Sequence, residues 1–255
     1  MERPTAVIIV AGGSGTRCGG SLPKQFRLLH NRPVLARTID RFAAALRGAE
    51  IVVVLPERHI AFWKDFAARF EVAAHRVVAG GEERFHSVCR GLAALRSEPE
   101  LIAVQDGVRP FASAELIRRV ADAAAETGAA IPVVQPVDSF RRLEGEESQI
   151  VDRSRLRIVQ TPQIFRADWL TAAYEQPFDP RFTDDASVVE AAGHRIALVE
   201  GERNNLKLTT ADDFAIAEAM LAAREAEEEA DEEAANEEVS EESAEEQTET
   251  DTEEA

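Results

Sequence analysis

The order of apolar segments is the feature that most constrains the fold of this chain. Short runs rich in β-branched residues predict strands, and longer segments with apolar residues every three or four positions predict helices between them. The predicted strands cover residues 6–10, 51–55, 76–79, 101–104 and 130–134, and the predicted helices cover residues 34–46, 60–70, 84–95 and 114–127. This alternation predicts an α/β fold with a mainly parallel sheet, helices on both faces, and ligand sites beyond the carboxyl ends of the strands.

The alternation stops after residue 134. Residues from about 138 to 157 alternate loosely around a polar turn that contains Gly145, which predicts a β-hairpin arm. Because such an arm buries too little apolar surface to be stable alone, we expect it to pack on a second subunit. Further along, residues 166–174 and 186–192 predict helices, residues 194–199 predict a strand, and residues 211–223 predict a closing helix.

The negative charge of the chain is concentrated near its carboxyl end. The net charge is -18, but residues 222–255 contain 17 Asp and Glu and one Arg, so the rest is nearly neutral. A segment of mostly Glu, Ala, Ser and Thr buries too little apolar surface to fold. We therefore expect one domain over residues 1–224 and a disordered acidic tail over residues 225–255. The tail either aids solubility or docks a basic partner, and nucleic acid is disfavoured.

Other sequence features argue against several classes of protein. Cys18 and Cys89 are isolated, which indicates neither a disulfide framework nor a zinc site. The apolar run at residues 6–10 is too short for a signal peptide or a membrane span, so we expect a cytoplasmic protein with no membrane partner. The five histidines lack metal-ligand spacing and no Gly-x-Ser-x-Gly elbow occurs, which disfavours zinc and hydrolytic chemistry.

A glycine-rich loop directly follows the first predicted strand. Residues 11–17 read AGGSGTR, and residues 23–25 read PKQ. Glycines let backbone amides turn toward a ligand, and a guanidinium and an ammonium seven residues apart suit a polyphosphate. The loop completes neither the G-x-x-x-x-G-K frame nor the G-x-G-x-x-G frame. It predicts a nucleotide site in which Arg17 and Lys24 neutralise charge on phosphorus. The alternative interpretation is an ordinary glycine turn with two surface cations.

Two further segments follow predicted strands. Asp106 precedes Gly107, so its carboxylate could hold magnesium while the glycine lets a ribose approach, although Asp before Gly is equally typical of a turn. Residues 80–87 join a strand to a helix and could read a base edge or simply cap the helix. Four weaker segments supply hydroxyls and cations for a phosphorylated polyol, namely residues 152–153, 161–163, 183–187 and 204–207.

Taken together, these segments resemble the 2-C-methyl-D-erythritol 4-phosphate cytidylyltransferase family of the non-mevalonate isoprenoid pathway. The likeness covers about residues 6–221 and runs in order through AGGSGTR, PKQ, GGxxRxxSV, DGVRPF, VDR, TPQxF, TDDAS and EGxxxNxKxT. It implies a Rossmann-like nucleotidyltransferase fold. It also implies that the sugar-alcohol phosphate attacks the α-phosphorus of CTP and releases pyrophosphate, with Mg²⁺ as cofactor, in a homodimer whose arm crosses to the partner subunit.

The resemblance also implies roles for individual residues, carried over motif by motif. The nucleotide would lie against Ala11, Gly12, Gly13, Gly15, Gly81, Glu82, Ser87, Asp106 and Gly107, with Asp106 also near the metal. Catalysis would depend on Arg17, Lys24, Lys207 and Arg153. The polyol phosphate would be held by Arg153, Thr161, Thr183 and Lys207, with Arg153 completing the neighbouring subunit's site.

The sequence departs from the family pattern at three places, and two alternatives remain open. Cys18 stands where methionine is common, Gln105 replaces a histidine, and residues 156–158 lack a tryptophan. The related ribitol 5-phosphate cytidylyltransferases share the glycine loop and a DGVRP-like segment, although VDR and TDDAS favour methylerythritol phosphate. A nucleotide-binding protein without turnover, with the acidic tail as a docking segment, is the second alternative. It would not need the charges of Arg17, Lys24, Asp106 and Lys207.

Overall fold

The structure, a computed structural model, describes residues 3–13, 22–224 and 226. The chain divides into two compact units, Met1–Thr210 and Ala211–Ala255. The first unit carries the sheet, and residues 211–224 of the second unit form a helix, as predicted. Apart from Ala226, the predicted acidic tail lies outside the described residues, so its disorder and the domain boundary after residue 224 stay predictions.

Within the described residues, the first unit contains twelve strands and six α-helices. The strands are β1 (Thr5–Val10), β2 (Leu28–Leu29), β3 (Arg32–Pro33), β4 (Glu50–Leu55), β5 (Arg76–Ala79), β6 (Leu101–Asp106), β7 (Ala129–Val134), β8 (Phe140–Glu144), β9 (Glu147–Val151), β10 (Ile158–Val159), β11 (Gln163–Arg166) and β12 (Ala197–Glu200). The helices are α1 (Val34–Ala45), α2 (Glu57–Ala67), α3 (Arg84–Ala94), α4 (Ala114–Thr127), α5 (Ala167–Ala173) and α6 (Asp185–Ala191). None of the helices in this described part is both long enough and apolar enough to cross a bilayer.

Eight of the strands form one sheet that is mainly parallel. Its order is β10-β7-β11-β6-β1-β4-β5, and β12 pairs with β7. The neighbours β6, β1, β4 and β5 are parallel, and β12 is parallel to β7. Val10 pairs with both Val54 and Asp106, so the carboxyl ends of three central strands meet at one edge. The predicted parallel sheet is therefore confirmed.

Helices cover both faces of the sheet because alternate side chains of a strand point to opposite sides. Val7 and Ile9 of β1 belong to a buried cluster that includes Trp63 of α2, together with apolar residues of α1 and α4. Ile8 belongs to a second cluster that includes Phe85 of α3, together with residues of α5 and α6. The sheet is thus the middle layer of three, as the α/β alternation predicts.

Two strands of the sheet, β10 and β11, were not predicted. β11 runs antiparallel between β6 and β7, with Gln163 opposite Val104 and Ile164 opposite Ala130. Its sequence, QIFR, is short and polar at both ends, so neither an apolar run nor strict alternation marks it. Hydrogen bonding from two neighbouring strands stabilises β11, and this tertiary contribution is invisible in a local pattern.

The predicted hairpin arm is present. Among the described strands, β8 and β9 pair only with each other, and Gly145 in their turn has a φ of 64°. Leu143 and Ile150 are 77% and 78% exposed, and the register places them diagonally on one face of the arm. Exposed large apolar side chains on one face are typical of an interaction surface. The role of the arm in dimerisation stays a prediction.

Candidate functional site

A cavity of about 570 Å³ opens where β1, β4, β5 and β6 end. Its walls come from the loop after β1, the start of α2, the β5–α3 connection and the segments around Asp106 and Lys207. Nine of the predicted site residues line it: Ala11, Gly12, Gly13, Lys24, Gly81, Glu82, Ser87, Asp106 and Lys207. Residues far apart in sequence therefore meet at the strand ends, where a sheet of this kind binds its ligands.

The other predicted site residues do not line this cavity. Gly15 and Arg17 belong to residues 14–21, which lie outside the described part of the chain. The four that are described but lie elsewhere are Gly107, Thr161, Thr183 and Arg153. Of these, Thr161 is buried beside Asp106, whereas Thr183 and Arg153 are exposed. The Arg153 guanidinium donates to the Val137 carbonyl near the base of the arm.

Hydrogen bonds to both the amide and the carbonyl of Ala11 fix the described start of the glycine loop in the cavity wall. The Ala11 amide donates to the Val54 carbonyl at 2.9 Å, which continues the β1–β4 pairing into the loop. Gln25 Nε2 donates to the Ala11 carbonyl at 2.9 Å. Lys24 Cε lies 3.8 Å from the position that a Cβ on Gly13 would occupy. The glycine loop and the turn that carries Lys24 therefore form one continuous wall.

Asp106 lies at the centre of a cluster of charges. Its Oδ2 is 2.9 Å from Lys207 Nζ and 3.5 Å from Arg109 Nε, and its Oδ1 is 3.8 Å from Arg84 Nε. Burial raises the pKa of Asp106, but Arg84, Lys207 and Arg109 together outweigh burial, so the pKa is lowered from its ordinary value. The carboxylate is therefore ionised at neutral pH and holds three cations around it.

Hydrogen bonds dock the segment that carries Lys207 against the end of β6. The Leu208 amide donates to the Val108 carbonyl at 2.9 Å. Asn205 is 1% exposed, and its Nδ2 donates to the Thr161 carbonyl at 2.8 Å. The sequence motif included Asn205 without giving it a role, and the structure shows that it connects the Lys207 segment to the strand-end region.

The backbone of Asp106 is held by neighbours on both sides. The Asp106 amide donates to Thr161 Oγ1 at 3.1 Å. Gln105, the residue before Asp106, is fully buried, and its Nε2 donates to the Arg109 carbonyl at 3.0 Å. Gln105 therefore stabilises the turn after Asp106 and makes no bond to the carboxylate, whose orientation comes from its cationic neighbours.

Arg84 lines the cavity, and sequence reasoning gave it no role. Its Nη1 and Nη2 donate to Asp185 Oδ1 and Oδ2 at 2.8 and 2.5 Å, and the Tyr174 hydroxyl donates to Asp185 Oδ1 at 2.6 Å. Burial lowers the pKa of Arg84, but the charge and hydrogen bonds of the fully buried Asp185, together with the charges of Asp106 and Tyr174, outweigh burial and raise the pKa, so the guanidinium stays charged. The GGxxR motif was the only local signal for Arg84, because its partner Asp185 is 101 residues away.

The β5–α3 connection caps its helix, as one of the two sequence interpretations predicted. The Ser87 hydroxyl donates to the Glu83 carbonyl at 3.1 Å and accepts from the Gly81 amide at 3.2 Å. Glu83 and His86 form a reciprocal capping box. A Cβ on Gly81 would lie 2.3 Å from His86 Cβ, so the turn admits only glycine. Recognition of a base by this connection stays a prediction.

The site fits a magnesium ion only if phosphate and water supply most of its ligands. Among residues 3–13, 22–224 and 226, no group of three or more His, Cys, Asp or Glu side chains could hold a metal. Asp106 Oδ1 lies 3.8 Å from Arg84 Nε, beyond hydrogen-bonding distance, and can accept one further ligand. Mg²⁺ bound to nucleotides commonly takes one or two protein carboxylates. Asp106 can therefore serve as the single protein ligand.

Comparison with known proteins identifies the family. The family model described as 2-C-methyl-D-erythritol 4-phosphate cytidylyltransferase matches residues 5–223. The chain belongs to this family. The resemblance inferred from the eight motifs is thus confirmed, and the protein is a nucleotidyltransferase like the other cytidylyltransferases of the family.

Curated relatives and solved structures agree with this cytidylyltransferase assignment. A 2-C-methyl-D-erythritol 4-phosphate cytidylyltransferase of Phocaeicola vulgatus is 47% identical over 216 residues, covering 84% of this chain and 98% of the relative. The Geobacillus thermodenitrificans enzyme of the same name is 40% identical over 226 residues, covering 86% and 98%. The crystal structure of 4-diphosphocytidyl-2C-methyl-D-erythritol synthase from Anaerococcus prevotii matches with a TM-score of 0.74 at 29% identity, covering 87% of this chain and 100% of that one. The predicted nucleotidyltransferase fold is confirmed, and the ribitol alternative is not favoured.

Proposed function

We propose that this protein joins 2-C-methyl-D-erythritol 4-phosphate and CTP to give 4-diphosphocytidyl-2-C-methyl-D-erythritol and pyrophosphate. The observation that carries the proposal is the Asp106 cluster. In a chain of this family, one cavity brings together Asp106, Lys207 and Arg84 with the glycine loop and Lys24. This combination of backbone amides and cations suits a triphosphate whose α-phosphorus is attacked by a second, anionic substrate.

The reaction is an in-line displacement at phosphorus. An oxygen of the methylerythritol phosphate forms a bond to the α-phosphorus of CTP, and the bond from that phosphorus to the oxygen bridging the β-phosphate breaks. Pyrophosphate leaves with the electron pair. Because a phosphate monoester is already anionic at neutral pH, no general base is required, and catalysis rests on positioning and charge neutralisation.

The residues of the site divide into three groups in this proposal. Lys24, together with Arg17, stabilises the charge that develops on the α-phosphorus, while Ala11, Gly12, Gly13 and Gly15 hold the phosphates. The cytidine lies against Gly81, Glu82, Ser87, Asp106 and Gly107. The methylerythritol phosphate is held by Lys207, Thr161, Thr183 and Arg153. Support for the first two groups comes from the shared cavity, which Lys24, Gly81 and Asp106 all line.

A magnesium ion completes the proposed site. When bound, Mg²⁺ neutralises negative charge on the phosphates of the nucleotide. Asp106 would hold it, because its Oδ1 lies 3.8 Å from the Arg84 guanidinium, which is beyond hydrogen-bonding distance. The charge cluster keeps this carboxylate ionised, which a hard cation requires.

We further propose a homodimer that forms through the hairpin arm. The support is the exposed apolar face of the arm, where Leu143 and Ile150 have little contact with their own chain. Arg153 follows the arm directly and lies outside the cavity of its own subunit, which fits a residue that completes the site of the partner. A cytoplasmic location stays a prediction.

The test of the proposed reaction is pyrophosphate release by the purified full-length protein with CTP and Mg²⁺. Methylerythritol phosphate and ribitol 5-phosphate are supplied in parallel assays, and a reaction without either polyol is the control. We expect rapid release with methylerythritol phosphate only. Release with ribitol phosphate alone would establish the ribitol activity instead, and CTP binding without release from either polyol would establish a non-catalytic nucleotide-binding protein.

A further inference from the structure

The short turn Lys24–Phe26 presents its three side chains to three different surroundings. Lys24 lines the cavity, and Gln25, which is 1% exposed, faces the glycine loop. Phe26 is fully buried, with ring centroids 5.6 Å from Trp63 and 5.3 Å from Phe62. Aromatic packing therefore anchors the turn in the core, and the two preceding side chains project from a fixed base.

Gln25 connects this fixed turn to the glycine loop. Its Nε2 donates to the Ala11 carbonyl at 2.9 Å and reaches the Gly13 carbonyl at 3.5 Å. Because both carbonyls can only accept hydrogen bonds, the amide nitrogen of Gln25 must face them. Both amide protons are thus directed at two residues of the loop, and both of those residues line the cavity.

Within the described part of the chain, the other end of the Gln25 amide has no hydrogen-bond partner. Its Oε1 is buried and accepts no hydrogen bond from the described residues. A buried unpaired acceptor is unfavourable, so a glutamine in this place is better explained by what its nitrogen does than by stability. The carbonyl and the following amide of one peptide unit point in opposite directions. When Gln25 holds the Ala11 carbonyl, the Gly12 amide is directed away from Gln25.

We propose that Gln25 is a positioning residue. By holding the Ala11 and Gly13 carbonyls, it orients residues 11–13 of the glycine loop toward the phosphates of CTP and keeps them beside Lys24. Gln25 also lines the cavity, but it is 1% exposed and its amide nitrogen is directed at the Ala11 and Gly13 carbonyls, so it acts through the loop. Because Gln25 holds the Ala11 and Gly13 carbonyls, the amides of this part of the loop face the phosphates in a single orientation. This inference rests on the proposed function, since it concerns the same nucleotide site.

The test replaces Gln25 with methionine, which has similar length and no amide. We expect Gln25→Met to raise the KM for CTP about tenfold, the loss associated with one or two hydrogen bonds, while the KM for the polyol phosphate stays within about twofold. The matched control is Gln176→Met. Gln176 Nε2 also donates to two carbonyls, those of Ala173 and Val188 at 2.8 and 3.1 Å, and it does not line the cavity.

A purely structural role would lower the thermal midpoint of both variants and leave the KM for CTP unchanged in both. Gln25→Met with a KM for CTP within about twofold of wild type, or with both KM values raised equally, would overturn the proposal. If Gln25→Met does not fold, Gln25→Leu removes the donor without adding a charge, and the same shift in KM for CTP is expected. Calorimetric titration of each protein with CTP alone gives the same ranking without turnover. A failure of the proposed reaction in wild-type protein is thereby distinguished from a failure of this inference.

Discussion

Asp106 has three cationic neighbours, and this excess of positive charge determines which ligands the site favours. The guanidinium and ammonium groups of Arg84, Arg109 and Lys207 all lie within the distances of ion pairs from one carboxylate. Asp185 also pairs with Arg84, but two carboxylates still face three cations, so the surroundings of Asp106 attract further anions. Phosphate groups meet this requirement.

Lys24 is the described residue whose removal should affect turnover most directly. Lys24→Ala should lower kcat by about 10²- to 10³-fold, because the ammonium acts on charge that develops in the transition state. The thermal midpoint should be nearly unchanged. Steady-state pyrophosphate release and a melting curve measure both quantities. Lys64→Ala on the exposed side of α2 is the control, and near-wild-type turnover of Lys24→Ala would remove the catalytic role.

Glu50 makes stability depend on pH through bonds remote from the cavity. Its carboxylate accepts from the Ser97 hydroxyl at 2.6 Å and from the amides of Arg96 and Ser97, and it pairs with the Arg76 guanidinium. Burial raises the pKa of Glu50, but the bonds from Ser97, Arg96 and Arg76 outweigh burial and lower the pKa from 4.5 to about 2. Because the folded state has the lower pKa, the stabilisation is complete above pH 4.5 and is lost as the pH falls toward 2.

Glu50→Gln should therefore lower the free energy of unfolding at pH 7 by about 2 kcal/mol, allowing for the partial exposure of the carboxylate. The difference from wild type should shrink as the pH falls from 4.5 toward 2. Urea unfolding at several pH values measures this difference. The exposed Glu98→Gln is the control, and a difference that stays constant between pH 7 and pH 3 would contradict the assignment.

Among the strands and helices, those marked by a local sequence pattern could be predicted, whereas those stabilised mainly by tertiary contacts could not. β5 and α4 have the predicted ends, because β-branched runs and amphipathic spacing are local signals. β11 was missed because two neighbouring strands stabilise it. The candidate site shows the same division. Residues at strand ends, such as Asp106, could be predicted from position, whereas the Arg84–Asp185 pair joins segments whose contact no local pattern reveals.

The arm has a proposed role that subunit mixing can test. If Arg153 completes the partner's site, Lys24→Ala and Arg153→Ala should each be nearly inactive, but co-expression should restore about one quarter of wild-type turnover. Half of the dimers are then mixed, and each mixed dimer has one intact site of two. Pyrophosphate release by the co-purified protein measures the restoration.

The control for subunit mixing places Leu143→Asp on both chains. A charge on the exposed apolar face of the arm should abolish the restored activity and shift the protein toward the monomer in sedimentation analysis. Absence of restoration in the dimeric mixture without Leu143→Asp would show that Arg153 does not act across the interface.

For the whole molecule, the distribution of charge separates the acidic segment from the catalytic unit. Residues 222–255 carry almost all of the net charge of -18, while the remainder of the chain is nearly neutral. The cavity and its cations belong entirely to the unit Met1–Thr210. The acidic segment therefore supplies none of the described groups that the proposed reaction needs.

Removal of residues 226–255 should leave kcat, both KM values and the thermal midpoint nearly unchanged, because none of the described cavity residues is removed. The truncated protein should elute much earlier from an anion-exchange column, since its net charge is close to neutral. Full-length protein assayed at the same ionic strength is the control. A large loss of turnover or of thermal stability would show that the acidic segment contributes to the folded enzyme.

The antiparallel strand β11 also has a consequence for synthesis on the ribosome. β6 and β7 are both made before β11, yet they are not neighbours in the sheet, and β11 fills the place between them. A nascent chain that has emerged only as far as residue 160 therefore holds two unjoined parts of the sheet, and each presents an unpaired edge. Emergence of residues 163–166 closes that gap and brings Thr161 to the Asp106 amide in the same event. The two parts of the sheet are thus joined only after residue 166, and the binding site is completed later still, when the segment that carries Lys207 emerges.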